Sequence, residues 1–280
     1  MPLKFLILLL PILSPLATGL DIQGHRGARA LRPENTLPAF QRGLELGVQT
    51  LELDLTVSRD DVLMISHDPF INTERCLGSK GEVLAAKLLI RSLTAAQIQS
   101  YDCGSITNPL FPKQQKVPHT PIPRLTDLFQ MLSQWPRGKI VRLNMETKIY
   151  PAHPEFSPPP QKFVELIIKE LRNYDLVART ILESFDDRTL KIAKILEPKL
   201  HTALLTSDNH IDYVAAAKSV KADYVSPNYE WVLPDDVATL HRAGIKVIPW
   251  TVNDPIEAKR LIKMNVDGII TDDPEVIKAD

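Results

Sequence analysis

Apolar and polar residues alternate through Leu51, Glu52, Leu53, Asp54, Leu55, Thr56 and Val57. That two-residue period is the mark of a strand with unlike faces. The run predicts a strand over 49–58. Shorter apolar runs predict further strands over 21–24, 139–147, 180–185, 201–206, 224–227, 246–252 and 268–271. Between them the period changes. Phe163, Val164, Leu166, Ile167 and Leu171 fall on one stripe of a helix. Helices are predicted over 36–46, 125–134, 161–173, 187–196, 211–220, 234–243 and 255–264, and Gly47, Gly244 and Asn265 stand where helices should stop. Eight strands, most followed by a helix, predict an α/β chain folded as a (β/α)8 TIM barrel. A doubly wound open sheet is the rival. It would place a glycine-rich phosphate loop after its first strand, and the sequence has no G-x-G-x-x-G or Walker pattern.

Two segments break the rhythm. Residues 69–123 are too long for an ordinary loop and read as an insertion after the second strand, with one helical stretch at 94–101. Residues 150–160, with three successive prolines at the end, follow the third strand and fall on the rim that carries barrel active sites. A stiff connector is the other reading of the prolines.

A barrel strand shows one face to the helices and the other to the axis. Leu51, Leu53, Leu55 and Val57 suit the helix side, which turns Glu52 and Asp54 inward. On the third strand Val141, Leu143 and Met145 face outward, and Asn144, Glu146 and Lys148 face the axis. Three converging carboxylates repel one another unless a cation neutralises them. Oxygen-only ligation suits a hard ion, Ca2+ or Mg2+. The alternative is a structural network of the same acids with Arg26, Arg142 and Lys148, costly to hold in the interior. His25 lies at the end of the first strand, and His67 follows a short strand at 62–66. Two histidines can serve as general base and general acid. Arg26 and Lys148 can hold phosphate oxygens. Trp250 is expected to pack against substrate or into the barrel core. His119, His153, His201, His210 and His241 are expected to be structural or surface residues.

Composition adds limits. The chain has 280 residues, 44% hydrophobic and 24% charged, with a formal net charge of −1. Nothing there calls for a nucleic-acid partner, so attraction for a phosphate must be local. Residues 5–16 are an apolar run after Lys4, followed by Ala17-Thr18-Gly19. Residues 1–19 read as a signal peptide, too short for a membrane span, and the mature barrel domain as 20–280. Export to the periplasm or medium is expected. An uncleaved anchor is the alternative. Cys76 and Cys103 are the only cysteines. Export favours a disulfide between them, closing a loop of roughly 27 residues worth about 3 kcal/mol; two buried thiols are the other reading.

Taken in order, Gly24-His25-Arg26-Gly27, Pro33-Glu34-Asn35-Thr36, Glu52-Leu53-Asp54, His67-Asp68 and Glu146-Thr147-Lys148 resemble the glycerophosphodiester phosphodiesterases of the phospholipase C-like superfamily. Ser184-Phe185 and 249–253 extend the likeness to later strands. The resemblance implies hydrolysis of small-molecule glycerophosphodiesters to sn-glycerol 3-phosphate and an alcohol. It implies catalysis by His25 and His67, one divalent cation on Glu52, Asp54 and Glu146, and phosphate contacts from Arg26 and Lys148. Glu34 and Asn35 take supporting parts. Two rivals stand beside it. One is a lipid phosphodiesterase of the lysophospholipase D or sphingomyelinase D kind, which would want an apolar rim such as residues 84–90 or Leu110-Phe111. The other is a non-catalytic phosphoester-binding protein. Serine hydrolase chemistry lacks its G-x-S-x-G elbow.

Overall fold

A computed structural model describes residues 19–208 and 212–277. The expected leader, apart from Gly19, lies outside the described residues, as does His210. The first elements are β1 (Asp21–Gly24), α1 (Leu37–Glu45), β2 (Thr50–Val57) and β3 (Leu63–Ile65). The insertion holds β4 (Phe70–Ile71), β5 (Leu88–Leu89) and α2 (Ala95–Ile98). Next come α3 (Leu125–Gln134), β6 (Arg142–Thr147), α4 (Pro160–Asn173), β7 (Thr180–Ser184) and α5 (Asp187–Leu196). The chain continues with β8 (His201–Thr206), α6 (Tyr213–Val220), β9 (Tyr224–Pro227) and α7 (Pro234–Arg242). It ends with β10 (Lys246–Val247), α8 (Pro255–Lys263), β11 (Gly268–Thr271) and α9 (Pro274–Ile277).

Eight strands pair in the order β10-β9-β8-β7-β6-β2-β1-β11, each parallel to its neighbour. The remaining gap is bridged by backbone bonds from Asp267 N–H to Val247 O (2.9 Å), Ile270 N–H to Pro249 O (3.0 Å) and Val252 N–H to Ile270 O (2.9 Å). The result is a nearly closed eight-stranded barrel wrapped by helices, as the alternation predicts. Leu51, Leu53, Leu55 and Val57 are fully buried and share one core with Phe40, Leu125, Leu128 and Phe163 of the helix layer. Each such side chain contributes about 2 kcal/mol of apolar burial. This layer fixes the register that turns Glu52 and Asp54 to the axis.

Two strands fall short of expectation by three residues or more. The third begins at Arg142 because residues 138–140 are spent in turns, with Gly138 N–H on Trp135 O and Ile140 N–H on Arg137 O. The seventh ends at Val247, since Pro249 has no N–H to give to a ladder.

The insertion packs Ile71, Cys76, Ile90, Ala95, Ile98 and Ile122 into a small core with Met64 of β3. Cys76 and Cys103 form a disulfide. The helix expected at 94–101 is one turn, with Thr94 and Gln97 closing a capping box. Gln114 Nε2 donates to Arg29 O (2.6 Å) and Gln115 N–H to Leu31 O (3.0 Å), which seats the insertion on the loop after β1. Phe156, from 150–160, packs edge-on against Phe70 (4.9 Å) and Tyr150 (5.6 Å). Both irregular segments therefore meet beside His67. No helix among the described residues is long and apolar enough to cross a membrane.

Candidate active site

The turn after β1 needs its glycines. A Cβ on Gly24 would lie 2.0 Å from Gly27 O, and one on Gly27 would lie 2.5 Å from the Ala39 carbonyl carbon. Gly27 also has a φ of +91°. Between them Arg26 adopts a φ of +49°, a left-handed conformation costing roughly 1–2 kcal/mol. Its N–H donates to Glu52 Oε2 at 2.8 Å, which helps to hold it there.

This turn delivers His25 and Arg26 over the barrel mouth. His25 Nδ1 lies 2.5 Å from Asp272 Oδ1, and its Nε2 lies 3.8 Å from Glu52 Oε2. Burial pulls the imidazole down to about 4 and outweighs the upward pull of Asp272. His67 follows β3, with its Nδ1 2.8 Å from Asp68 Oδ1. Tyr150 Oη donates to the His67 carbonyl at 3.3 Å. Both rings thus have Nδ1 on a carboxylate and line one cavity of ≈ 220 Å³.

The carboxylates divide into two groups. Glu52, Glu146 and Glu183 are buried, and one oxygen from each lies within 4.8 Å of the others. Burial, then the charges of Asp54 and Glu183, hold Glu52 well above the usual carboxylate range. Burial also raises Glu146 against the pull of Lys148. Burial and the Glu146 charge push Glu183 up to about 8. Asp54 belongs elsewhere. Its Oδ2 lies 3.0 Å from Arg26 Nε and accepts from Asn35 Nδ2 at 2.8 Å, and its Oδ1 lies 3.0 Å from Lys148 Nζ. Burial would raise it, but Lys148 and Arg26 overrule that and hold it well below the usual range.

Of the expected ligand set, Glu52 and Glu146 share the oxygen cluster with Glu183, and Asp54 stands beside it among cations. The reason is register. Glu146 pairs with Asp54 on one side and with Glu183 on the other. The donors are all oxygen, all buried and mutually repelling, so the cluster fits a hard divalent cation.

Arg26 and Lys148 are also more engaged than expected. Arg26 Nη1 donates to Glu34 Oε1 (2.8 Å), and Lys148 Nζ lies 2.7 Å from Glu146 Oε2. Both still line the cavity. Glu34 bonds to Arg26, and Asn35 bonds to Asp54. Trp250 stands between the barrel core and the cavity. Its Nε1 donates to Ser226 O (2.8 Å), its ring packs on an apolar plug of Ile181, Ala203, Ile248 and Ile270, and it lines the cavity beside Phe185.

Comparison with known proteins shows the family. The sequence model of the glycerophosphoryl diester phosphodiesterase family matches residues 25–276. The chain belongs to that family. A glycerophosphodiester phosphodiesterase of Caldanaerobacter subterraneus subsp. tengcongensis is 30% identical over 90% of this chain and 94% of its own. A solved structure from Silicibacter pomeroyi DSS-3 that bears the same family's name superposes with a TM-score of 0.85 at 29% identity, covering 92% of this chain and 91% of that one. An Oleispira antarctica phosphodiesterase, solved with its product sn-glycerol-3-phosphate, shares the fold at a TM-score of 0.76 and 21% identity, covering 92% and 95%. As a member of this family the chain is a phosphoric diester hydrolase, and its fold is the family's barrel.

Sequence reasoning did not single out two residues that meet the site's side chains, Glu183 and Asp272. Glu183 carried a usable signal, because the alternation through Ile181, Leu182 and Glu183 turns it inward beside Glu146. Asp272 had only its place just past the last strand. It collects His25 Nδ1, Arg29 Nε (2.5 Å) and Asn253 Nδ2 (2.7 Å). An asparagine there would face at least one donor with its own NH2. Asp272→Asn is expected to lower kcat about 100-fold by loosening the His25 ring, read by steady-state kinetics beside an unchanged fold by circular dichroism.

Proposed function

We propose that this chain hydrolyses glycerophosphodiesters to sn-glycerol 3-phosphate and an alcohol, using one divalent cation and the pair His25 and His67. The observation that carries the reading is the shared cavity. Two histidines, each braced at Nδ1 by a carboxylate, flank a buried oxygen cluster there. Glu52 and Glu146 would hold the cation, Ca2+ or Mg2+, with Glu183 and Asp54 as the remaining carboxylates within reach. Such an ion polarises a phosphoryl oxygen and offsets transition-state charge.

The rest falls to the chain's own side chains. Arg26 and Lys148 place positive charge beside the phosphate. His25, held neutral by burial, suits the base that takes a proton from the nucleophile, whether water or the neighbouring glycerol hydroxyl. His67, on the more open side, then gives a proton to the leaving alkoxide. Trp250 and Phe185 wall the cavity. The sn-glycerol-3-phosphate product bound in the Oleispira phosphodiesterase supports the same outcome. Assayed on glycerophosphocholine, the purified mature chain should release sn-glycerol 3-phosphate in step with choline. Absence of that release with either ion present overturns the proposal.

A lipid substrate draws less support. Leu84 and Leu88 pack against the insertion core, and Arg29 covers Phe111 at 5.0 Å, which leaves Leu110 and the small Ala85 and Ala86 as the exposed apolar part of the expected rim. The same reading has the mature protein exported, periplasmic or secreted. The apolar leader and the Cys76–Cys103 disulfide support that.

A further inference from the structure

The two histidines are joined by an unbroken chain of ionic side chains. His25 Nδ1 meets Asp272 at 2.5 Å, and Asp272 meets Arg29 Nε at 2.5 Å. Arg29 Nη1 lies 3.8 Å from Glu34 Oε2, and Glu34 Oε1 accepts from Arg75 Nη1 at 2.8 Å. Arg75 Nη2 pairs with Asp68 Oδ2, and Asp68 Oδ1 lies 2.8 Å from His67 Nδ1. In this chain Arg75 is the link that comes from inside the insertion and spans between the Glu34 end and the Asp68 end.

We propose that Arg75 is a positioning residue for the phosphodiesterase reaction: clamped on Asp68 and Glu34, it sets the His67 ring against the Arg26 side of the site, and the neighbouring disulfide keeps it there. The inference rests on the reading of His67 as an acid–base group. Three observations support it. The first is the chemistry of the fork. One guanidinium can reach two carboxylates through separate nitrogens, which a lysine ammonium, a single point charge, reproduces poorly. The second is local. Asn72 Nδ2 donates to Asp68 Oδ2 (2.9 Å), while Asn72 O accepts the N–H groups of Arg75 (3.1 Å) and Cys76 (2.8 Å). The loop 68–76 is therefore folded around the Asp68 carboxylate. The third is the anchor. Cys76 is buried in the insertion core and bonded to Cys103, whose N–H donates to Thr120 O at 2.8 Å. The residue after Arg75 is thus fixed to the far end of the insertion. The pairs of Arg75 are partly exposed and worth little to stability by themselves, so the purpose of this bracing is found in the site.

The test uses the full mature protein with glycerophosphocholine and saturating cation. Arg75→Ala is expected to lower kcat by about 10- to 100-fold, the scale of a small misplacement of a catalytic group, with KM within about twofold. Arg75→Lys should recover little of it. Added guanidinium ion should restore part of the Arg75→Ala activity and none in Arg75→Ala/Asp68→Ala. That double variant should lose no more than the worse single. Reduction of the disulfide by a dithiol should lower kcat of the wild type and leave Arg75→Ala unchanged. Wild-type kcat in Arg75→Ala beside an inactive His67→Ala overturns the inference, as does multiplication of the Arg75 and Asp68 losses. An equal loss on reduction in wild type and Arg75→Ala overturns the part given to the disulfide. Near-normal turnover in His67→Ala overturns the acid–base reading, and this inference with it.

Discussion

Alanine at position 25 is expected to lower kcat on a glycerophosphodiester by at least about 100-fold, the usual scale for losing acid–base help. The fold should survive. His25 sits on a turn whose shape comes from Gly24, Gly27 and the Arg26–Glu52 bond, none of which needs the imidazole. Asp272 would keep Arg29 and Asn253 as partners. Thermal melts should therefore move little while turnover collapses. His67→Ala should match that loss on glycerophosphocholine. On an aryl ester, whose phenolate leaves without a proton, His67→Ala should lose far less and His25→Ala should lose as much as before. That contrast separates acid from base. The opposite contrast would exchange the two roles, and near-normal turnover in both variants would sink the mechanism.

Stripping divalent cations is expected to cost about 1000-fold or more, the several kcal/mol that a Lewis acid supplies at a phosphoryl oxygen. Calcium or magnesium should restore it. The metal-free protein should also carry a signature of its own. Glu183 has an ordinary value of 4.5 and is pushed up to about 8 by burial and Glu146. Its folded form then binds more protons than its unfolded form between those values. This contribution to stability is fully present below 4.5 and is lost as pH rises through about 8. In chelator the melting temperature should fall across that window, and bound ion should flatten the fall. Ion binding at pH 7 should release protons, seen by calorimetry in buffers of different ionisation heat. Glu183→Gln should remove much of the proton release. Asp54→Asn should weaken ion binding less than Glu52→Gln does. Equal melting curves with and without ion would overturn the cluster as a cation site.

Legibility followed range. The strand alternation at 51–57 gave the facing of Glu52 and Asp54 directly, because a side chain's face depends only on parity along its own strand. Glu146 and Lys148 came the same way. Glu183 obeys the same rule, but its partner is set by the register of β7 on β6, a pairing of distant segments. Asp272 lies 247 positions from His25, and no local pattern announces that meeting. Arg75 is similar: a turn-rich insertion offers no period, so its reach to Asp68 and Glu34 exists only once the disulfide and the small insertion core are formed.

The sequence by itself determined the eight-stranded alternation, the axial facing of the acids on β2 and β6, the two histidines and the family likeness. All of these depend on near neighbours or on short ordered motifs. Only the tertiary structure decided which carboxylates share a site, that Asp54 is claimed by Arg26 and Lys148, and that the insertion braces His67. The physical reason is that charge interactions act through space. A carboxylate becomes a cation ligand or an ion-pair partner according to the groups that barrel closure brings within a few ångströms, and those come from strands and loops far apart in the chain.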